Sequence, residues 1–141
     1  MLSTILELVV YVIVGLVIMI AGYALIDLIL PADFPKEITE GNKAIGWVSA
    51  GIYIGLGLVI RSSVSTITMA EKELALITGV VDTLIYAVLG IVFFMVAYFL
   101  VDLVNRRFNF NVEIAKKNEA AGIMVFGIFV GIALIISGVI Q

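Results

Sequence analysis

Asp27 and Asp102 each close a long apolar run, and each follows a tyrosine, Tyr23 or Tyr98, by four positions. Four residues is about one helical turn, so the phenol shares a face with the carboxylate and could donate a hydrogen bond to it. A charged side chain at the centre of a bilayer costs about 2.5–3.5 kcal/mol on insertion scales, so an acid retained there normally serves an ion path, a proton relay or a partner charge. At the membrane boundary the same pair is a solvated acid beside an aromatic anchor. Glu7 and Asp82 stand twenty residues earlier, with Tyr11 and Tyr86 one turn after them. Twenty residues of helix span about 30 Å, the thickness of the hydrocarbon core, so each acid falls near a boundary and the interfacial reading is favoured.

A second set of polar residues begins with Asn42 and Asn118, each followed one turn on by Gly46 or Gly122. Gly51 with Gly55, and Gly127 with Gly131, lie on the opposite side of the same helices at 100° per residue. The Gly-x-x-x-Gly face admits a close helix neighbour, within the bundle or across a subunit boundary. The Asn-Gly face, joined by Glu119 in the second case, could line a polar cavity, but an amide acting as cap or interhelical hydrogen-bond donor is the favoured role. Glu37 and Glu113, beside Lys36, Lys43, Lys116 and Lys117, form the most polar turns. Paired carboxylates can do acid-base work or hold a divalent cation. Here no third ligand cluster, phosphate-binding glycine loop or nucleophile beside a base accompanies them, so a solvated turn or a docking surface is expected.

With no cysteine and no histidine, the chain has no thiolate and lacks the commonest metal ligand and general base. No enzyme activity, cofactor or metal site is therefore expected. Hydrophobic residues make up 63% of the 141 and charged residues 13%, about half the charged share of soluble domains. A mean hydropathy of +1.26 places the chain in a bilayer. The net charge of −3 gives no support to nucleic-acid binding.

Four apolar segments must position these groups: about 5–30, 44–60, 79–104 and 120–139. The first lacks a basic n-region and is expected to be kept as a span. Pro31 and Pro35 bracket the first turn and set the start of the next helix near Pro35, with Glu37 in its opening turn. An amphipathic turn or two should precede the second span. In the second turn Asn111 is the expected cap ahead of Glu113. Residues 63–78 form the outer connection, whose later part, from Met69, could be a short interfacial helix or an extension of the third span.

The segments also pair with one another. Glu7, Tyr11, Gly15, Tyr23 and Asp27 recur 75 positions on as Asp82, Tyr86, Gly90, Tyr98 and Asp102, and Glu37, Asn42, Ala44, Gly46, Gly51 and Gly55 recur 76 on. The expected fold is all-α and integral to the membrane, four transmembrane helices built as two parallel tandem repeats of a helical hairpin, 5–62 and 79–140. Tyr-x-x-x-Asp, Glu-Ile-x-x-x-Asn-x-Ala-x-Gly and the glycines after them, each present twice, resemble the YjfL-like family of small bacterial inner-membrane proteins, a domain of unknown function. The resemblance covers nearly the whole chain. It implies an inner-membrane location, four spans, no assigned reaction, and neighbours among envelope-stress and membrane-remodelling components.

Six of the basic residues, Lys36, Lys43, Arg106, Arg107, Lys116 and Lys117, fall in the two turns, against Arg61 and Lys72 on the other side. The positive-inside rule therefore sets the turns in the cytoplasm and the termini outside a plasma membrane of bacterial or archaeal type. Two functions fit. One is a non-enzymatic, self-associating scaffold or accessory component that meets the bilayer, its own copies and a cytoplasmic membrane-stress partner. The other is an oligomeric ion or proton channel with a polar path through Asp27, Asp102, Asn42 and Asn118.

Overall fold

The computed structural model describes residues 2–65 and 72–140, which form six helices: α1 Leu2–Ile29, α2 Phe34–Thr39, α3 Lys43–Ser65, α4 Lys72–Val104, α5 Phe110–Ala115 and α6 Glu119–Ile140. No strand occurs among the described residues. Four helices are long and apolar enough to cross a bilayer, over Thr4–Ile29, Lys43–Ser65, Leu76–Val104 and Glu119–Ile140. The short helices α2 and α5 lie in the turns that join α1 to α3 and α4 to α6.

Helix α3 is the packing centre, touching α1 and α4 and, most extensively, α6. The α3–α6 pair runs parallel, since Trp47 Nε1 donates to Glu119 Oε1 at one end and the hydroxyls of Ser62 and Ser137 meet at the other. Lipid offers no hydrophobic drive for helices to associate, so close van der Waals contact must supply it. Glycine permits that contact: a Cβ on Gly51 would come 2.9 Å from the Phe126 Cα, and one on Gly122 would overlap the Ala44 backbone. Around this seam Ile26, Phe34, Val48, Ile52, Leu56, Phe94, Tyr98, Phe110 and Phe129 form the buried core, with Phe94 and Phe129 stacked at 5.2 Å.

Helices α1 and α6 each pack on both α3 and α4 and share no extensive contact with one another among the described residues. Over their most apolar windows they are 22% and 17% buried, against 56% for α3, so most of their surface is left for lipid or another protein. At 33 residues α4 is about 50 Å long, well beyond a 30 Å core, so its first turns extend past the bilayer unless it tilts strongly.

Some boundaries differ from the sequence expectation. Helix α3 continues to Ser65 and α4 is already formed at Lys72, within the 63–78 connection, because Ser63 pairs with Thr83 across the helices at 2.6 Å instead of facing water. The possible interfacial helix from Met69 begins outside the described residues, and from Lys72 onward the chain belongs to α4. The turn before α3 is a separate helix, ended by Gly41 at φ 76°, a left-handed conformation that glycine adopts without strain. Lys117 ends α5 in the same way at φ 61°, where a side chain costs about 1–2 kcal/mol. The cap of α5 is Asn109, not Asn111: burial of Phe110 in the first turn fixes the start two residues earlier, and Asn109 Oδ1 accepts from Val112 N at 3.2 Å.

Substituting Gly51 by leucine forces α3 and α6 apart. The expected cost is about 1–3 kcal/mol or more, read as a lower unfolding temperature in detergent. Leucine at Gly57, which has nothing within 4 Å, should leave that temperature unchanged.

Candidate functional site

Many of the chain's polar side chains gather in the two turns that hold α2 and α5, and most of those hold backbone. Phe34 N donates to Asp27 Oδ1 at 2.7 Å, and Phe110 N donates to Asp102 Oδ1, also at 2.7 Å. The first amides of a helix have no partner within it, so each aspartate, at the end of one helix, satisfies the start of the next and fixes the angle between them. Asp102 Oδ2 also accepts from Asn109 Nδ2 at 3.3 Å. Asp33 caps α2 through Lys36 N at 3.1 Å.

The tyrosines do not donate to these acids. Tyr98, fully buried, donates its hydroxyl to Asn111 Oδ1 at 2.5 Å, and so ties α4 to α5. Tyr23 stacks on Tyr53 at 5.3 Å and sets its edge against Phe34. On a straight helix the one-turn spacing had made the carboxylates the nearest acceptors. The capped turn claims them instead.

Asn42 is 2% exposed and is used from both ends. Its Nδ2 donates to Glu37 Oε2 at 2.7 Å and to Ile114 O at 3.0 Å, while its Oδ1 accepts from Ala44 N at 3.0 Å. A single amide therefore joins α2, the start of α3 and the far turn. Asn118 is exposed: its Nδ2 donates to Glu113 Oε2 at 2.8 Å and its Oδ1 accepts from Ala120 N at 3.2 Å. The Asn118 amide, and after it the Lys116 ammonium, hold the Glu113 carboxyl below its ordinary range. That stabilisation is present above the unfolded-state pKa and is lost as pH falls through the lowered value.

Between the turns, Lys117 Nζ lies 3.9 Å from Glu40 Oε2 and Lys43 Nζ 4.0 Å from Glu119 Oε2, exposed pairs of small worth. Of the six glycines singled out, Gly51, Gly55 and Gly122 receive neighbouring helices, whereas nothing lies within 4 Å of a Cβ on Gly46, Gly127 or Gly131. Glu7 and Asp82 are half-buried near the opposite end. Sequence reasoning missed the pairs Ser62–Ser137 and Ser63–Thr83, which join the helices there. The serine run had read as loop; its continuity with the apolar pattern of α3 was the available signal. Among the described residues no three acidic side chains converge as a metal site would require.

These features define a helical protein that crosses the membrane several times, its apolar helices meeting the bilayer and its hydrogen-bonding side chains concentrated at one end. The family model described as Domain of Unknown Function (DUF350) matches residues 1–140, and the chain belongs to that family. It is 30% identical over 126 residues to a UPF0719 transmembrane protein of Aquifex aeolicus (strain VF5), a match covering 87% of this chain and 44% of the relative. It is 28% identical over 102 residues to the UPF0719 transmembrane protein YshE of Bacillus subtilis (strain 168), covering 72% of this chain and 69% of that one. The chain thus spans less than half of the Aquifex protein's length. No solved structure matches it.

Asn42→Ala removes hydrogen bonds to three segments and leaves the Ile114 carbonyl buried without that donor, so a loss of about 2–3 kcal/mol is expected. Asn118→Ala, at an exposed site, should cost less than half as much; chemical unfolding of both variants in one detergent measures the difference.

Proposed function

We propose that the protein is a non-enzymatic membrane scaffold or accessory component, a duplicated helical hairpin that self-associates and presents its two polar turns on the cytoplasmic side. The observation that carries this reading is where the acids are spent. Asp27 and Asp102 each accept a backbone amide at 2.7 Å at the turn end of the bundle, a role in shaping the turn. Matching caps, matching Asn–Glu pairs and left-handed residues at Gly41 and Lys117 support descent from one repeated unit, and with it the likeness to the YjfL-like proteins.

The six basic residues of the turns support the cytoplasmic placement. Lys36, Arg106 and Arg107, exposed there, suit an acidic surface on a membrane-stress or envelope-maintenance partner. The termini then lie outside the cell.

The double substitution Asp27→Asn with Asp102→Asn tests the division of labour. On the scaffold reading, proteoliposomes of the unaltered protein carry no proton or cation flux above protein-free vesicles, and the double variant loses only thermal stability. Flux in the unaltered protein that the double variant abolishes would establish a channel instead. Orientation is tested with cysteines placed one at a time at Lys36 and Arg107, both expected to react with an impermeant maleimide only after cells are opened. Labelling of either one in intact cells would overturn the placement.

A further inference from the structure

If the two halves descend from one hairpin, the reading on which this inference rests, the contact between them is a template, and the template is used once. Ala44, Val48 and Val59 are fully buried and Gly51 is buried on the seam of α3. Their counterparts 76 residues on are exposed: Ala120 and Gly127 face outward, Met124 is 44% exposed and Ile135 64%. Positions 120, 124, 127, 131 and 135 are spaced by three and four, so they form one stripe along α6.

The turns show the same imbalance. Ile114 is 3% exposed, held where Asn42 Nδ2 donates to its carbonyl. Its counterpart Ile38 is 44% exposed, and Asn118, the counterpart of Asn42, is exposed as well. A hollow of about 300 Å³ opens between Phe108, Glu113, Asn118, Ala120 and Met124, on the side where the first half receives Ile114.

A two-fold relation between the halves would have left no such imbalance. The Gly122–Ala44 contact would then have a mate at Gly46 and Ala120, and Gly51–Phe126 one at Gly127 and Ala50. Nothing lies within 4 Å of a Cβ on Gly46 or Gly127. The halves therefore meet through two different faces, and each retains the face that the other uses. Contacts of this kind propagate from unit to unit until a rotation closes them into a ring.

We propose that a second copy of this chain docks its first half, α2 and α3, onto the exposed α5–α6 face, repeating the contact between the halves so that copies join head to tail in the plane of the membrane. Ile38 of the incoming copy enters the hollow, its carbonyl accepts from Asn118 Nδ2, and Gly46 of the incoming copy lies against Ala120. The covered face is continuous with the interface already formed inside the chain, and this continuity selects another copy as the occupant.

The chain has no cysteine, so disulfide mapping starts from a clean background. Gly46→Cys and Ala120→Cys are introduced singly and together, and membranes are oxidised before denaturing electrophoresis. The double variant should give a ladder of covalent oligomers, the two singles expressed together should give dimers, and either single alone should give none. Gly127→Leu, which meets nothing inside the chain, should abolish the ladder while leaving the unfolding temperature of the monomer unchanged.

Dimers from Ala120→Cys alone would overturn the head-to-tail surface in favour of a two-fold one. Oligomers seen by light scattering in detergent without 46–120 linkage would overturn this surface and leave self-association standing. A monomer in detergent and no linkage in membranes would overturn both.

Discussion

The parallel seam between α3 and α6 is the constraint from which the rest of the structure follows. Inside a bilayer the tails around a helix are as apolar as its own leucines, so one greasy helix gains little by exchanging lipid for another unless the two surfaces fit closely. Gly51 and Gly122 bring backbone against side chain and backbone, and their places on α3 and α6 set which residues meet along the remaining length. With that register set, Phe94 stacks on Phe129, Ser62 reaches Ser137, and Trp47 reaches Glu119.

The same seam explains why the polar turns are built so densely. Because α3 and α6 run parallel, both of their N-termini arrive at one end, and the unpaired amides of two helix starts must be satisfied within a small area. Asp27 and Asp102 serve α2 and α5, while Asn42 and Asn118 serve α3 and α6. Of these four capping side chains, Asn42 is the one seen to bond across to the other turn, and it is buried where Asn118 is exposed. The acids thus shape the entry to the bundle, and an apolar chain can reverse direction without leaving these amide groups bare.

The periphery is governed by what the seam leaves over. Helices α1 and α6 are left with long apolar surfaces, and a groove of about 430 Å³ between Ile29 and the α4 residues Ile91, Met95 and Phe99 opens sideways with almost no polar lining. Lipid satisfies such surfaces fully. The stripe on α6 differs from the groove because it is rimmed at the turn by Asn118 and Glu113, groups that an acyl chain cannot use.

Much of this was legible in the residues. The apolar runs, the turn chemistry and the charge exclusions determined four helices with polar bends, since helix length against bilayer thickness and the cost of burying charge depend on local sequence alone. That the aspartates close their apolar runs, one turn after a tyrosine, was legible in the same way. Their partners were not: a carboxylate one turn from a tyrosine reads as that tyrosine's acceptor until the chain bends and offers it a bare backbone amide at closer range. Asn42 and Asn118 were indistinguishable as letters in nearly identical settings, and so were Gly51 and Gly127. Only the tertiary structure separated them, because burial depends on which of two similar faces the neighbouring half covers, and that choice is made by contacts between residues some 75 positions apart.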